Sequence, residues 1–301
     1  MSLPTRPFRN YESARSFASG GIDCLISSYI VVQGADVFCR DEGAGPGVIL
    51  GHSSTDSGGQ WRSIIERLAG RYRLVAPDHL GYGRTSPYSG DVPLWEHEIA
   101  IISALVDFLG GPVHLVGRSF GGAVMARVAI RRADKVRTLT LFEPTLFHLL
   151  APAGRIGEHQ EIRAVAERVV RFVDAGDPRE AARGFIDYWV GDGAFAAMDE
   201  RVRSSVVAGM TKLRAEWLSA FEAGDATTEA LAAAPMPIQL VCGARTTPAA
   251  RAVIEILRNV WPRAEFTAIA GAGHMAPVTH GDFVNPIVDE FLRAGDGRPA
   301  E

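Results

Sequence analysis

Short strand-like and helix-like segments alternate along most of this 301-residue chain, and one long helical block breaks the rhythm. After a hairpin reading Ser27–Val32 and Ala35–Asp41 around Gln33-Gly34, strands are expected at Val48–His52, Arg73–Asp78, Val113–Gly117 and Val136–Glu143. Helices are expected between them at Gln60–Gly70, Pro93–Gly110 and Gly121–Arg132. From Pro144 to about Pro235 the text is helical and amphipathic throughout. Alternation then resumes with strand Pro237–Gly243, helix Pro248–Val260, strand Ala264–Gly271 and helix Asp282–Leu292, which Pro286 should start or kink. Such alternation demands a mostly parallel sheet with helices on both faces, the hairpin adding antiparallel strands at one edge. A helical block of that length is no loop and reads as an inserted cap. Ligands of open parallel sheets bind at the carboxyl ends of the strands, so a cap leaving after Glu143 should roof the site.

These boundaries divide the chain into a leader at 1–25, a core at 26–143 and 236–301, and a cap at 144–235. With 47% hydrophobic residues the chain can bury one large core. The net charge of −4, with scattered arginines and only Lys135 and Lys212 as lysines, offers no footprint for nucleic acid. Cys24, Cys39 and Cys242 form neither a disulfide framework nor a metal motif, and no HExxH or Cys/His cluster implies a metal or cofactor. The N-terminus has no apolar secretory stretch, and no apolar run is long enough to span a bilayer. A cytoplasmic protein with a small-molecule partner, no membrane partner, and an oligomeric state compatible with a homo-oligomer is therefore expected.

Chemistry concentrates at Gly117-Arg118-Ser119-Phe120-Gly121, a G-x-S-x-G stretch lying between a strand and a helix. That context makes Ser119 a candidate nucleophile on a tight turn, where small neighbours let the backbone pass close to the adjacent elements. A serine needs a base, an orienting acid and an oxyanion hole to attack at neutral pH. His274, in Gly271-Ala272-Gly273-His274-Met275 after the last strand, is the candidate base, with His280 its rival.

LGHSSTDSGGQW, APDHLGYGRTSP, VGRSFGG, LFEPTLF and GAGHM together resemble the α/β-hydrolase superfamily, in its cap-bearing serine hydrolases, from about Ser27 to Leu292. The resemblance implies an α/β-hydrolase fold: an eight-stranded, mostly parallel sheet with the second strand antiparallel, flanked by helices and carrying a helical cap. It also implies hydrolysis through a Ser-acid-His triad. The family's usual Asp position falls on Thr246, which cannot carry the charge. Glu143, at the end of the strand after the elbow strand, is the substitute some relatives use, with Asp225 of the cap a remote option. The resemblance assigns the oxyanion donors to the N–H of Phe120 and of Ser54, with Ser53 in reserve where relatives carry glycine. Asp78 is implied to tie down its loop, and Arg118 is left open between attracting an acidic substrate and packing away.

Tyr188, Trp189 and Trp217 make the cap aromatic and suggest a hydrophobic or aromatic substrate. The expected activity is that of a carboxylic ester hydrolase (EC 3.1), with C–C bond hydrolysis by the same triad (EC 3.7) as the alternative. A slow or non-catalytic ligand-binding homologue is the reading that the missing Asp would favour.

Overall fold

The computed structural model describes residues 26–297; the proposed leader lies outside the described residues. Its centre is an eight-stranded sheet of β1 (Ile26–Val32), β2 (Ala35–Glu42), β3 (Gly47–Gly51), β4 (Arg73–Pro77), β5 (Val113–Arg118), β6 (Val136–Phe142), β7 (Ile238–Gly243) and β8 (Glu265–Ile269). The strand order is β1-β2-β4-β3-β5-β6-β7-β8. β2 runs antiparallel to both neighbours, and every other pairing is parallel. The α/β-hydrolase architecture expected from the sequence is thus present.

Strand periodicity explains how the helices divide. On β3, Val48 and Leu50 face one core while Ile49 faces the other, as successive side chains of a strand must. The first core is filled by Ile64, Ile65 and Leu68 of α1 (Arg62–Leu68) and by Val284, Val288 and Leu292 of α12 (Gly281–Asp296). The second takes α2 (Leu94–Leu109), α3 (Phe120–Arg131) and α10 (Pro248–Val260). Each fully buried aliphatic side chain contributes about 1.5–3 kcal/mol, so both faces hold the sheet firmly. α2 ends where expected, with Gly110 left-handed at φ 75°.

The inserted region between β6 and β7 contains α4 (Ile156–Asp174), α5 (Pro178–Val190), α6 (Ala194–Ala197), α7 (Glu200–Ala208), α8 (Met210–Ser219) and α9 (Thr228–Ala232). α8 packs against α4 within the cap and against α2 of the core, which ties the roof to the floor. The short helix α11 (Ala276–Thr279) follows β8.

Two local expectations are corrected. The helix read at Gln60–Gly70 opens as a 3-10 turn at Gly58–Trp61, with the Ser57 side chain accepting from Gly59 N–H, before becoming α-helical at Arg62. Pro286 neither starts the last helix nor interrupts it. The helix begins at Gly281, so the lost hydrogen bond falls in the second turn, and burial of Val284, Val288 and Leu292 carries it through.

Candidate active site

Two strand ends define the site. β5 stops at Arg118, and Ser119 turns the chain into α3 with φ 53° and ψ −120°. One strand over, Glu143 follows β6 with φ 43°. Positive φ at a non-glycine residue costs on the order of 1–3 kcal/mol and persists only where the surroundings over-determine it. Here they do. A Cβ on Gly121 would lie 2.4 Å from the His52 carbonyl oxygen, and one on Gly117 would lie 2.7 Å from that of Gly121. Only glycine lets the strand, the turn and the helix pass so close. Because Arg118 pairs with Phe142, Ser119 and Glu143 are the next residues on neighbouring strands.

The carboxylate of Glu143 is surrounded by donors. Gly243 N–H donates to Oε1 at 2.7 Å, and Thr246 Oγ1 donates to Oε2 at 2.5 Å. His274 Nδ1 lies 2.5 Å from the same Oε2. Burial would raise the Glu143 carboxyl, but these donors together hold it below the usual carboxylate range. Burial lowers the His274 imidazole, with Arg118 adding to the effect and Glu143 opposing it. Nδ1–H donating to Glu143 leaves Nε2 with its lone pair, the tautomer that can accept a proton. Among the described residues no hydrogen bond yet joins Ser119 to His274. Trp189 of the cap stacks on the imidazole instead, with centroids 4.0 Å apart and planes at 26°.

The loop after β3 supplies the opposite wall. Ser53 gives both N–H and hydroxyl to Gln60 Oε1, at 3.1 and 2.9 Å. Its N–H is therefore taken. Among the described residues the N–H groups of Ser54 and Phe120 have no protein acceptor. Gln60 also accepts from Arg118 Nη1 at 3.1 Å, and a second Arg118 nitrogen contacts Met275 Sδ. Arg118 is therefore buried behind the turn, which resolves the choice left open in the sequence. Asp78 accepts from Gly58 N–H and Arg84 N–H and is a loop tie, as the resemblance implied.

A narrow cavity touches Ser119, Ser54 and Phe120 and is walled by Phe147, Phe185, Trp189, Leu213 and Trp217. Phe147 stacks on Trp217 at 5.9 Å between centroids and on Trp189 at 6.4 Å. Tyr188 is not among the lining residues. It backs Trp189 at 4.9 Å, and its hydroxyl donates to Glu161 at 3.0 Å. His280 bonds Thr279 Oγ1, and Asp225 pairs with Arg131, so neither joins this cluster.

Two lining or anchoring residues were missed in the sequence. Gln60 was visible in Gly59-Gln60-Trp61 as a lone amide at the start of a helix. Glu216, the one carboxyl among the described residues of the cavity wall, was hidden, because nothing in the sequence marks its face of the helix as turned inward.

The description "Alpha/beta hydrolase family" fits residues 32–287 of the chain. The chain is 31% identical over 268 residues to the polyketide synthase ThaQ of Burkholderia thailandensis, a match covering 84% of this chain and 12% of that protein. It is 26% identical over 307 residues to the 2-hydroxy-6-oxo-6-(2'-aminophenyl)hexa-2,4-dienoic acid hydrolase of Metapseudomonas resinovorans, covering 95% of this chain and 97% of the other. A thermophilic esterase from Thermogutta terrifontis superimposes with a TM-score of 0.70 at 23% identity, covering 89% of this chain and 98% of that one. The chain spans only part of some relatives: 12% of the synthase and 36% of a haloalkane dehalogenase from Mycobacterium tuberculosis.

Proposed function

This chain belongs to the alpha/beta hydrolase family, and from that membership and the cluster around Glu143 we propose that it hydrolyses a small organic substrate next to a carbonyl group. In this reading Ser119 is the nucleophile, His274 the base and Glu143 the acid that orients it. The observation that carries the reading is the Glu143–His274 contact, which frees Nε2 for the Ser119 proton. Attack on the carbonyl builds negative charge on its oxygen, and the N–H groups of Phe120 and Ser54 receive it. Collapse of the tetrahedral intermediate expels the leaving group, which takes the proton from the imidazolium. Water activated by His274 then cleaves the acyl-enzyme.

Two bonds suit such a site: an ester C–O bond, or the C–C bond of a ketone whose leaving carbanion is stabilised as an enolate. One relative that matches end to end is a hydrolase of an oxo-dienoic acid, a compound whose name contains a ketone and no ester. That favours C–C cleavage over the ester reading taken from the resemblance. The aromatic walls favour an apolar or aromatic substrate in either case.

A fluorophosphonate probe, followed by peptide mapping, tests the nucleophile: single-site labelling at Ser119 is expected. Product analysis on an aryl ester and on a diketone then identifies the bond. A folded protein that neither reacts with the probe nor turns over either substrate would replace the hydrolase reading with a ligand-binding one.

A further inference from the structure

Glu216 is 4% exposed and lines the cavity beside Ser119, yet the triad makes no use of it. It belongs to a second buried cluster. Ser54 Oγ donates to its Oε2 at 2.5 Å. Its Oε1 is buried without a hydrogen-bond partner among the described residues, 3.5 Å from Lys212 Nζ. Lys212 is already engaged: its ammonium donates to Glu98 Oε1 at 2.5 Å and to the Leu80 carbonyl at 3.0 Å. Glu98 Oε2 also faces His79 Nδ1 at 2.7 Å.

Counting charge makes the consequence plain. Glu98 and Lys212 cancel, and Glu216 is a carboxyl in excess of the available cations. Burial accordingly pushes its carboxyl up, although Lys212, Ser54 and Tyr82 pull the other way. Apart from the neutral hydroxyl residues Ser54, Ser119 and Thr145, the remaining walls are aromatic and aliphatic. The other nearby cation, Arg118, reaches Gln60 and Met275 behind the elbow. A ligand carboxylate entering this cavity meets the Glu216 carboxyl and, among the described residues, no unengaged cation, only the neutral N–H and hydroxyl donors around Ser119, whereas a neutral polar group can bond to Glu216 without that repulsion.

We propose that Glu216 is a specificity-determining residue, admitting uncharged ketones or esters that bear an N–H or O–H group able to donate to its unpartnered Oε1 and rejecting substrates that carry a carboxylate. This rests on the hydrolase reading for the word substrate, but not for the discrimination itself. It also separates this chain from its end-to-end relative, whose named substrate is an acid.

The test uses a binding readout that survives failure of the chemistry. In Ser119→Ala protein, quenching of Trp189 and Trp217 fluorescence reports on ligands of the cavity. A matched pair, an aryl ketone bearing a primary carboxamide and its carboxylate analogue, is titrated at pH 7.5. The amide is expected to bind at least 30-fold more tightly. Adding Glu216→Gln, which keeps an acceptor for Ser54, is expected to shrink the ratio at least tenfold by strengthening the carboxylate. Equal affinities, tighter binding of the carboxylate, or an equal change for both ligands on Glu216→Gln would overturn the proposal. If that variant does not fold, the ratio in Ser119→Ala alone decides, and a ratio under threefold overturns it. Turnover of the matched pair by the unmodified protein is read separately. Absence of any turnover counts against the hydrolase reading and leaves the binding ratio to judge Glu216.

Discussion

Two carboxyl groups lie almost out of water, Glu143 against His274 Nδ1 and Glu216 in the cavity wall, and the protein treats them in opposite ways. Glu143 rises from the rigid end of β6 and meets three donors, so it stays ionised despite burial. Glu216 comes from cap helix α8, shares a lysine that Glu98 holds more closely, and has its carboxyl pushed up. Burial is common to both. The number of donors left over for each oxygen decides the charge state. A buried carboxylate with a full set of donors can orient an imidazolium. One short of donors is disfavoured as an anion, which suits it to choosing ligands and not to holding charge.

The comparison breaks most visibly on the core side. Ser119→Ala should reduce turnover by at least about 10⁴-fold, since removing a triad serine leaves only binding and the oxyanion hole. Glu143→Gln keeps the shape but loses the charge, and should cost about 10³-fold in kcat with little change in melting temperature. Thr246 Oγ1 and His274 Nδ1 share one oxygen of Glu143, so a carboxyl at position 246 comes within reach of the imidazole. Glu143→Thr combined with Thr246→Asp should therefore recover at least about tenfold over Glu143→Thr alone. Equal kcat for Glu143→Gln and the unmodified protein would remove Glu143 from the mechanism.

What the sequence disclosed follows the same division. Ser119 and Glu143 directly follow strand ends and His274 lies in the loop after β8, places that a motif and the strand–helix rhythm mark in the sequence. Parallel pairing then places Ser119 beside Glu143 because Arg118 pairs with Phe142. Thr246 looked like an empty acid position, and its hydroxyl instead donates to Glu143, the acid of the proposed triad. The second cluster was illegible for a physical reason. Glu98 lies 114 residues from Lys212, and only docking of α8 against α2 brings them together. Nothing in an i, i+4 Lys-Glu pair announces that this face of the helix is turned inward. Arg118 was undecidable for a related reason, since its direction depends on Gln60 and Met275, from distant loops.

On the cap side the largest expected effect is on stability. Lys212→Met leaves Glu98 buried without its ammonium and should destabilise the fold by about 3–5 kcal/mol, measured by urea unfolding. Glu98→Gln in the same chain should restore much of that loss. Glu98 is held at about 2 against an ordinary 4.5. Its contribution is therefore fully present above the unfolded value and lost as pH falls from about 4.5 through about 2. Unfolding followed across that window should show a smaller acid-induced loss in Lys212→Met than in the unmodified protein. Thr246→Ala is milder. It removes one of three donors to Glu143 and should lower kcat by about five- to tenfold, leaving KM nearly unchanged.

The smallest effect concerns charge without contact. Arg118 lies behind the elbow, buried, and its guanidinium disfavours the protonated form of His274. The base must be neutral to accept the Ser119 proton, so activity falls on the acid side as the imidazole protonates. Burial and Arg118 both lower that protonation below the ordinary 6.5, and the acid limb of kcat/KM should lie below 6.5 in the unmodified protein. Arg118→Met removes one of the two causes and leaves burial in place. The limb should then move toward higher pH, while the alkaline plateau drops only a few-fold. A limb that stays put would mean that Arg118 serves only to fasten Gln60 and Met275. A limb that moves would show the core cluster using a cation at a distance to keep its base unprotonated, while the cap cluster consumes its cation by direct contact with Glu98.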